Sequence, residues 1–171
     1  MIKIAIIIAF RNFRDEEYFI PKSIFLQNGF KVKTVSTYKG LAIGGSGGET
    51  RIDLLLSQLK LEDYDCLMFV GGPGAYRFIE DETIHEVIKS FKGLLAAICI
   101  APAIFAKAGV LEGKKATIWS SVMDKKSIKI LEEGGSTYVD KDVVVDGSII
   151  TANGPQAAER FALTITKELL L

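Results

Sequence analysis

Continuous apolar runs alternate along this chain with segments in which apolar residues recur at helical spacing. Runs without polar alternation are typical of parallel strands that are buried on both faces. The pattern predicts seven strands, at residues 2–9, 31–36, 66–70, 94–98, 116–119, 138–145 and 149–152. The segments between them predict five helices, at residues 16–27, 83–91, 101–108, 125–133 and 156–171.

The order of these elements predicts the fold class. Strands that alternate with helices indicate an α/β protein with a central, mostly parallel sheet and helices on both faces. Glycines after several helical segments, such as Gly109, mark the helix ends. We find no repeat, low-complexity segment or linker, so residues 1–171 are expected to form one domain.

Two turn-rich segments interrupt the pattern. Residues 40–48 contain five glycines, which favours a loop or an irregular hairpin. Asp146-Gly147, between two apolar runs, is typical of a type I′ hairpin.

Composition excludes several classes of function. The chain has 21 basic and 21 acidic residues, so it lacks the positive field expected of a protein that binds nucleic acid or an anionic membrane. No apolar run is long enough to span a bilayer, and no signal peptide is apparent. Two cysteines without a framework spacing favour a reducing compartment, and we expect a cytoplasmic protein. The single histidine, His85, rules out most histidine-rich metal sites and most Cys/His zinc patterns, so we expect no metal.

Ligands of open α/β sheets bind at the carboxyl ends of the strands. Three segments are expected to meet there: residues 10–17, the turn Gly71-Gly72-Pro73-Gly74, and Cys99.

Cys99 lies between a predicted buried strand and a helix that begins near Pro102. A residue in this position occupies a sharp turn that pushes its side chain above the sheet, as in a nucleophile elbow. The helix N-terminus behind it would favour the thiolate. The alternative is an inert cysteine that fills a gap in the core.

The glycine turn and the acidic run Asp15-Glu16-Glu17 could complete a site. Backbone N–H groups of the turn could bind a ligand oxygen, although a tight connection alone would also require glycine. Asp15 and Glu16 are expected to be solvated acids at a helix N-terminus. Glu17, one step further along the helix, could share a proton with a nearby thiolate.

Three further residues carry weaker signals. His85 belongs to a polar helix face and is expected at the surface, whereas Cys66, in mid-strand, is expected in the core. Trp119 could line a pocket or simply pack.

Taken together, the motifs resemble the DJ-1/ThiJ/PfpI superfamily, of the class I glutamine amidotransferase type, over nearly the whole chain. The resemblance rests on Glu17 four residues before Pro21, the Gly71-Gly72-Pro73-Gly74 turn, and Ala97-Ile98-Cys99-Ile100-Ala101-Pro102. It rests also on the segments at residues 106–114, 143–147 and 150–155.

The resemblance implies a flavodoxin-like three-layer fold with Cys99 as nucleophile and a protonated Glu17 hydrogen-bonded to its sulfur. It implies that the N–H groups of Gly72 and Ile100 form an oxyanion hole. We place Trp119, Asn153 and Gly71 in the substrate pocket. Members of the family are usually homodimers or hexamers, and their activities include conversion of oxoaldehydes, repair of glycated groups, peptide hydrolysis and sensing of oxidative stress.

The chain departs from the family at the histidine. Protease-like members carry histidine directly after the nucleophile, where this chain has Ile100, and others supply one from the strand near Trp119. The leading hypothesis is therefore a cofactor-free glyoxalase- or deglycase-type enzyme that acts on small carbonyl compounds through Cys99 and Glu17. A redox-sensing or chaperone-like stress protein is the alternative, as is an inert paralogue. A cysteine peptidase would require a histidine from a neighbouring subunit.

Overall fold

The computed structural model describes all residues from Met1 to Leu171. Its strands are, in chain order, β1 (Lys3–Ile7), β2 (Arg11–Phe13), β3 (Lys31–Ser36), β4 (Leu41–Gly44), β5 (Glu49–Arg51), β6 (Leu54–Leu55), β7 (Cys66–Phe69), β8 (Leu94–Ile98), β9 (Lys115–Ala116), β10 (Thr137–Tyr138), β11 (Val143–Asp146) and β12 (Ile149–Ala152). Its α-helices are α1 (Asp15–Gln27), α2 (Glu82–Ser90), α3 (Pro102–Ala108), α4 (Lys126–Glu133) and α5 (Ala158–Leu170).

The predicted α/β fold class is confirmed. Seven strands form the central sheet in the order β11-β12-β8-β7-β1-β3-β6, and every pairing except β11 with β12 is parallel. Helices α1 and α5 contact each other on one face, whereas α2, α3 and α4 pack on the other. The result is a three-layer, flavodoxin-like arrangement.

Strand β1 shows why its sequence is apolar throughout. Ile4 and Ile6 belong to the core beneath α1 and α5, whereas Ala5 and Ile7 belong to the core beneath the other helices. Successive side chains of a strand point to opposite faces, so a strand in the middle layer must be apolar at every position.

The glycine-rich segment forms a hairpin rather than a loop. Strands β4 and β5 pair antiparallel, and β4 also pairs with β2, a strand that the apolar pattern did not predict. Asp15 fastens the hairpin turn, because its carboxylate accepts the N–H groups of Ser46 at 2.9 Å and Gly48 at 2.7 Å. The expectation that Asp15 is only a solvated acid is therefore wrong, whereas Glu16 is exposed and pairs with Arg14.

One strand prediction and one turn prediction near the C-terminus need correction. The run predicted at residues 138–145 is interrupted by Asp140, Lys141 and Asp142, so β10 pairs with β9 in a small separate sheet and β11 begins later. The β11–β12 hairpin is present, but its two loop residues are Gly147 and Ser148, and only Gly147 has a positive φ, of 59°. A type I′ turn requires positive φ at both central residues, so the type I′ prediction is wrong.

No helix in the structure combines the length and the apolar character that a membrane span requires.

Candidate active site

Cys99 occupies a strained elbow at the carboxyl end of β8. Its φ is +65°, in a region that non-glycine residues rarely adopt and that costs on the order of 1–3 kcal/mol. Two backbone hydrogen bonds of 2.9 Å hold the residue there, from Cys99 N–H to the carbonyl of Ala152 and from Trp119 N–H to the carbonyl of Cys99. Hydrogen bonds to the backbone N–H and to the carbonyl of Cys99 thus hold it in the strained conformation. The side chain is half-buried rather than enclosed.

The predicted meeting of three segments is confirmed. Because β1, β7, β8 and β12 run in the same direction, the residues that follow them gather at one edge of the sheet. There they surround a cavity of about 230 Å³, which is lined by Arg14, Gly72, Pro73, Tyr76, Cys99, Ile100, Trp119, Pro155 and Gln156.

Glu17 is completely buried in the first turn of α1, next to Cys99. Its Oε2 accepts the N–H of Gly71 at 2.9 Å. Its Oε1 has no partner with ordinary hydrogen-bond geometry, although the Cys99 thiol is close enough to lower the pKa of the carboxyl through a hydrogen bond. Burial outweighs these contributions and raises the pKa of Glu17 to about 7, so the carboxyl group is readily protonated near neutral pH.

The pKa of the Cys99 thiol is raised as well. Burial, followed by the charge of and the hydrogen bond to the Glu17 carboxylate, raises the pKa of Cys99 above that of an ordinary thiol. The backbone N–H groups of Gly72 and Ile100 act the other way, because they hydrogen-bond to the sulfur. The expectation that the helix end would favour the thiolate is therefore wrong in its net effect, since burial and Glu17 outweigh the two N–H groups.

Gly71 lies between Glu17 and Cys99, and the space around it does not admit a side chain. A Cβ on Gly71 would lie 2.7 Å from the Cβ of Cys99 and 2.9 Å from Oε2 of Glu17. The neighbouring Gly72 has a φ of +97°, which favours glycine, and its backbone approaches the N–H of Arg14. Both glycines thus permit the close approach of the β7 turn to α1 and to the elbow.

The other predicted site residues fall into two groups. Trp119, Gly72 and Ile100 line the cavity, and the backbone N–H groups of the last two lower the pKa of the Cys99 thiol. Gly71 and Asn153 are not part of the cavity wall: Gly71 lies behind the thiol, and Asn153 donates its N–H to the carbonyl of Asp142.

His85 is remote from this arrangement, as its helix position predicts. It is half-buried rather than fully exposed, its Nε2 lies 2.7 Å from the carbonyl oxygen of Ile79, and it does not line the cavity. Cys66 is fully buried in β7, as expected of a core residue.

Sequence reasoning missed Arg14, Tyr76 and Gln156 in the cavity wall. Tyr76 belongs to a 3₁₀ helix at residues 73–78 that the glycine turn concealed. The pKa of its phenol is raised by burial and by the acidic groups of Cys99 and Asp124. Arg14 lies inside the segment 10–17 that was expected at the site, but nothing in the pattern set it apart.

Comparisons with known proteins agree on one family. A sequence profile of the DJ-1/PfpI family matches residues 2–168. An uncharacterised protein of Methanocaldococcus jannaschii is 37% identical, with coverage of 98% of this chain and 82% of that protein. The crystal structure of a ThiJ/PfpI domain protein from Brachyspira murdochii superposes with a TM-score of 0.92 at 34% identity, over 98% of this chain and 95% of that one.

Two more distant relatives have names that state an activity. Deglycase PfpI of Pyrococcus furiosus is 29% identical, with coverage of 84% of this chain and 85% of the relative. The glutathione-independent glyoxalase DJR-1.2 of Caenorhabditis elegans is 28% identical, with coverage of 90% and 81%.

Proposed function

Because this chain belongs to the DJ-1/PfpI family, we propose that it is a cofactor-free enzyme that converts small reactive carbonyl compounds through Cys99 and Glu17. One observation carries the proposal: a thiol at a strained elbow lines the cavity and, on its buried side, contacts an acid whose pKa is about 7. Such a pair can move one proton between its members at neutral pH.

The first step is transfer of the thiol proton to the Glu17 carboxylate. The Glu17 carboxylate opposes ionisation of Cys99, whereas the hydrogen bond from the Cys99 thiol lowers the pKa of Glu17, so the negative charge of the pair starts on Glu17. Once Glu17 is neutral, its charge no longer raises the pKa of Cys99, and the N–H groups of Gly72 and Ile100 stabilise the thiolate. The nucleophile is thus generated by its neighbour rather than by an imidazole.

The thiolate then forms a bond to the aldehyde carbon of a 2-oxoaldehyde, and the carbonyl π electrons move to oxygen. We assign the developing oxyanion to the N–H groups of Gly72 and Ile100, which make no backbone hydrogen bond elsewhere. Glu17 returns its proton to that oxygen and becomes a carboxylate again. The product of this step is a neutral hemithioacetal on Cys99.

Rearrangement and hydrolysis complete the reaction. The Glu17 carboxylate takes the proton from the former aldehyde carbon, which leaves an enediol, and delivers it to the neighbouring carbon. The hydroxyl proton on the first carbon moves to the oxygen of the second, and the product is a 2-hydroxy thioester. Water cleaves the thioester, releases the 2-hydroxy acid and restores the thiol. The sum is addition of one water to the oxoaldehyde, with no external oxidant or reductant. The glyoxalase and deglycase relatives named above support this class of substrate.

Turnover of methylglyoxal to lactate tests the proposal. Wild-type protein is expected to produce lactate, and Cys99→Ser is expected to lose this activity while its circular dichroism is retained. Cys66→Ala is the control, because Cys66 is buried in β7 away from the cavity. Equal turnover by wild type and Cys99→Ser would refute the proposal.

A redox-responsive role is the second candidate, and the contrast between the two cysteines favours it. Cys99 is half-buried at a cavity whereas Cys66 is enclosed, so peroxide is expected to oxidise Cys99 selectively. A protonated Glu17 and the two N–H donors could stabilise a sulfinate there. Mass spectrometry after mild peroxide treatment should find two added oxygens on Cys99 alone, and equal oxidation of both cysteines would exclude selective sensing.

Peptide hydrolysis is the least supported activity. The only histidine is bound to the carbonyl of Ile79 and lies outside the cavity wall, so no imidazole within the chain can protonate a leaving amine. The expected homodimer or hexamer and the cytoplasmic location remain predictions.

A further inference from the structure

The cavity beside Cys99 has one charged residue in its wall. Arg14 supplies the charge, and the other lining residues apart from Cys99 have no ionised side chain. Glu17 lies behind Cys99 and does not line the cavity. An ordinary hydrophobic substrate would not need a guanidinium at this point. A cation at the edge of an otherwise uncharged cavity is a means of recognising an anion.

Arg14 is held firmly enough to act as such a recognition group. Its backbone N–H donates to the carbonyl of Gly71 at 3.1 Å, which ties the residue to the turn that carries Gly72. Its positive charge acts on the site electrostatically, because it lowers the pKa of Glu17.

The guanidinium group retains donors for a ligand. Its Nε lies 3.2 Å from Oε2 of Glu16, and both side chains are about half exposed, at 47% and 46%. Exposed ion pairs of this kind contribute little, so a ligand can displace or join Glu16 at small cost. The two terminal nitrogens make no hydrogen bond within the chain, and together they form the planar fork that binds a carboxylate at two points.

The walls between Arg14 and Cys99 suit a short carbon chain. Tyr76, Ile100 and Trp119 supply aromatic and aliphatic surface, and the volume of about 230 Å³ admits only a small molecule. A single guanidinium that is already shared with Glu16 matches one negative charge better than the two charges of a phosphate.

We infer that Arg14 makes the site selective for 2-oxoaldehydes that carry a carboxylate at the end remote from the aldehyde. This inference rests on the proposed function, since Cys99 must add to the aldehyde while Arg14 holds the carboxylate. Arg14 takes no part in bond making or breaking. Its contribution is to bind and orient the substrate.

Competition between a charged and a neutral substrate tests the selectivity. The probes are 4,5-dioxopentanoate and methylglyoxal, compared by kcat/KM at constant ionic strength. We expect wild type to prefer the carboxylate substrate, and Arg14→Gln to reduce that preference by about 10- to 100-fold, the range of a charge-assisted hydrogen bond. The loss should appear in KM rather than kcat, and Arg14→Lys should fall between the two.

Arg77→Gln is the matched control. Arg77 is exposed on the neighbouring 3₁₀ helix, outside the cavity wall, and its substitution changes net charge by the same amount. The preference for the carboxylate substrate should survive this change. An equal loss in both variants would mean that only long-range charge matters, and it would overturn the inference.

A binding measurement separates this inference from the proposed reaction. Trp119 is the only tryptophan in the chain and it lines the cavity, so its fluorescence reports occupancy. The unreactive 4-oxopentanoate should produce a saturable change in wild type, its methyl ester should bind at least about 10-fold more weakly, and Arg14→Gln should abolish the difference.

The two accounts fail in different ways. If neither aldehyde is converted but 4-oxopentanoate still binds through Arg14, the proposed reaction fails and the carboxylate site stands. If methylglyoxal is converted but acid and ester bind equally to the wild type, the reaction stands and the selectivity is refuted.

Discussion

The buried carboxyl group of Glu17 is coupled to the thiol of Cys99 across the backbone of Gly71, and its charge raises the pKa of that thiol. Burial raises both pKa values, that of Glu17 to about 7, and the carboxylate raises that of the thiol further. Gly71 donates its N–H to Glu17 and lies against the Cβ of Cys99. The two groups therefore behave as one acid–base unit, and the predictions below follow from that coupling.

Glu17→Gln should change how stability depends on pH. Between pH 4.5 and about 7 the unfolded chain has lost the Glu17 proton while the folded chain retains it, so stability falls as pH rises. The total loss is about 3 kcal/mol for a shift of this size. The glutamine variant lacks this cost.

Urea denaturation of both proteins at pH 4.5, 6 and 8 measures the effect. The variant should gain stability relative to wild type across this range, and the gain should level off above pH 7. Parallel stability profiles would show that Glu17 titrates normally.

The same variant should make Cys99 easier to alkylate. Glutamine removes the negative charge that raises the pKa of the thiol, so more thiolate is present at pH 8 and iodoacetamide should react faster. Methylglyoxal turnover should nevertheless fall, by about 10²- to 10⁴-fold, because proton transfer is lost. A slower alkylation would contradict the assigned coupling, and Cys66 should stay unmodified in both proteins unless they are denatured.

Gly71→Ala should disrupt the site through steric overlap alone, because the backbone conformation of Gly71 is one that alanine can adopt. The added methyl would lie within 3 Å of the Cys99 Cβ, the Ile98 carbonyl oxygen and Oε2 of Glu17, so the elbow or the acid must move. We expect methylglyoxal turnover to fall by about 100-fold, since small misplacements of reacting groups are this costly.

Gly45→Ala provides the comparison for that substitution. Its nearest neighbour would be the Phe13 carbonyl oxygen at 3.8 Å, an ordinary contact. Steady-state kinetics should separate the two variants clearly. Equal activity in both would mean that the spacing between Glu17 and Cys99 is not critical.

Asp15→Ala should loosen the β4–β5 hairpin. Removal of the carboxylate leaves the N–H groups of Ser46 and Gly48 without their acceptor, and we expect a loss of about 1–3 kcal/mol. Hydrogen exchange of these two amides should accelerate, while amides of β8 keep their protection. Glu16→Ala is the control on the same helix turn, because Glu16 is exposed and makes only the pair with Arg14. Unchanged exchange at the hairpin would remove the assigned role of Asp15.

The sequence predicted the parts of the fold that burial dictates. The apolar runs of β1, β7 and β8 must be strands of a middle layer, and the elbow at Cys99 follows from a buried strand that meets Pro102. The hairpin was one of two alternatives at residues 40–48, but the β2–β4–β5 sheet was not predicted, because its strands have only three or four residues each and Asp15, rather than an apolar pattern, holds its turn.

The site was predicted in its centre but not in its walls. Cys99 and Glu17 belong to recognisable motifs, whereas Arg14, Tyr76 and Gln156 line the cavity only because segments distant in sequence meet in space. The sequence also could not predict that the pKa of Cys99 is raised. The helix end is visible as a pattern, whereas the burial of the thiol and of Glu17 depends on tertiary packing.

Peptide mapping after a rapid acid quench tests the central claim, that Cys99 bonds to the substrate while Glu17 moves the protons. Wild type mixed with methylglyoxal should carry a lactoyl thioester on Cys99 during turnover and none on Cys66. In Glu17→Gln the lactoyl thioester on Cys99 should be lost, because the rearrangement that forms it is slowed and the hemithioacetal before it dissociates during the mapping. Lactate formation without any adduct on Cys99, or with adducts only on lysines, would contradict the account.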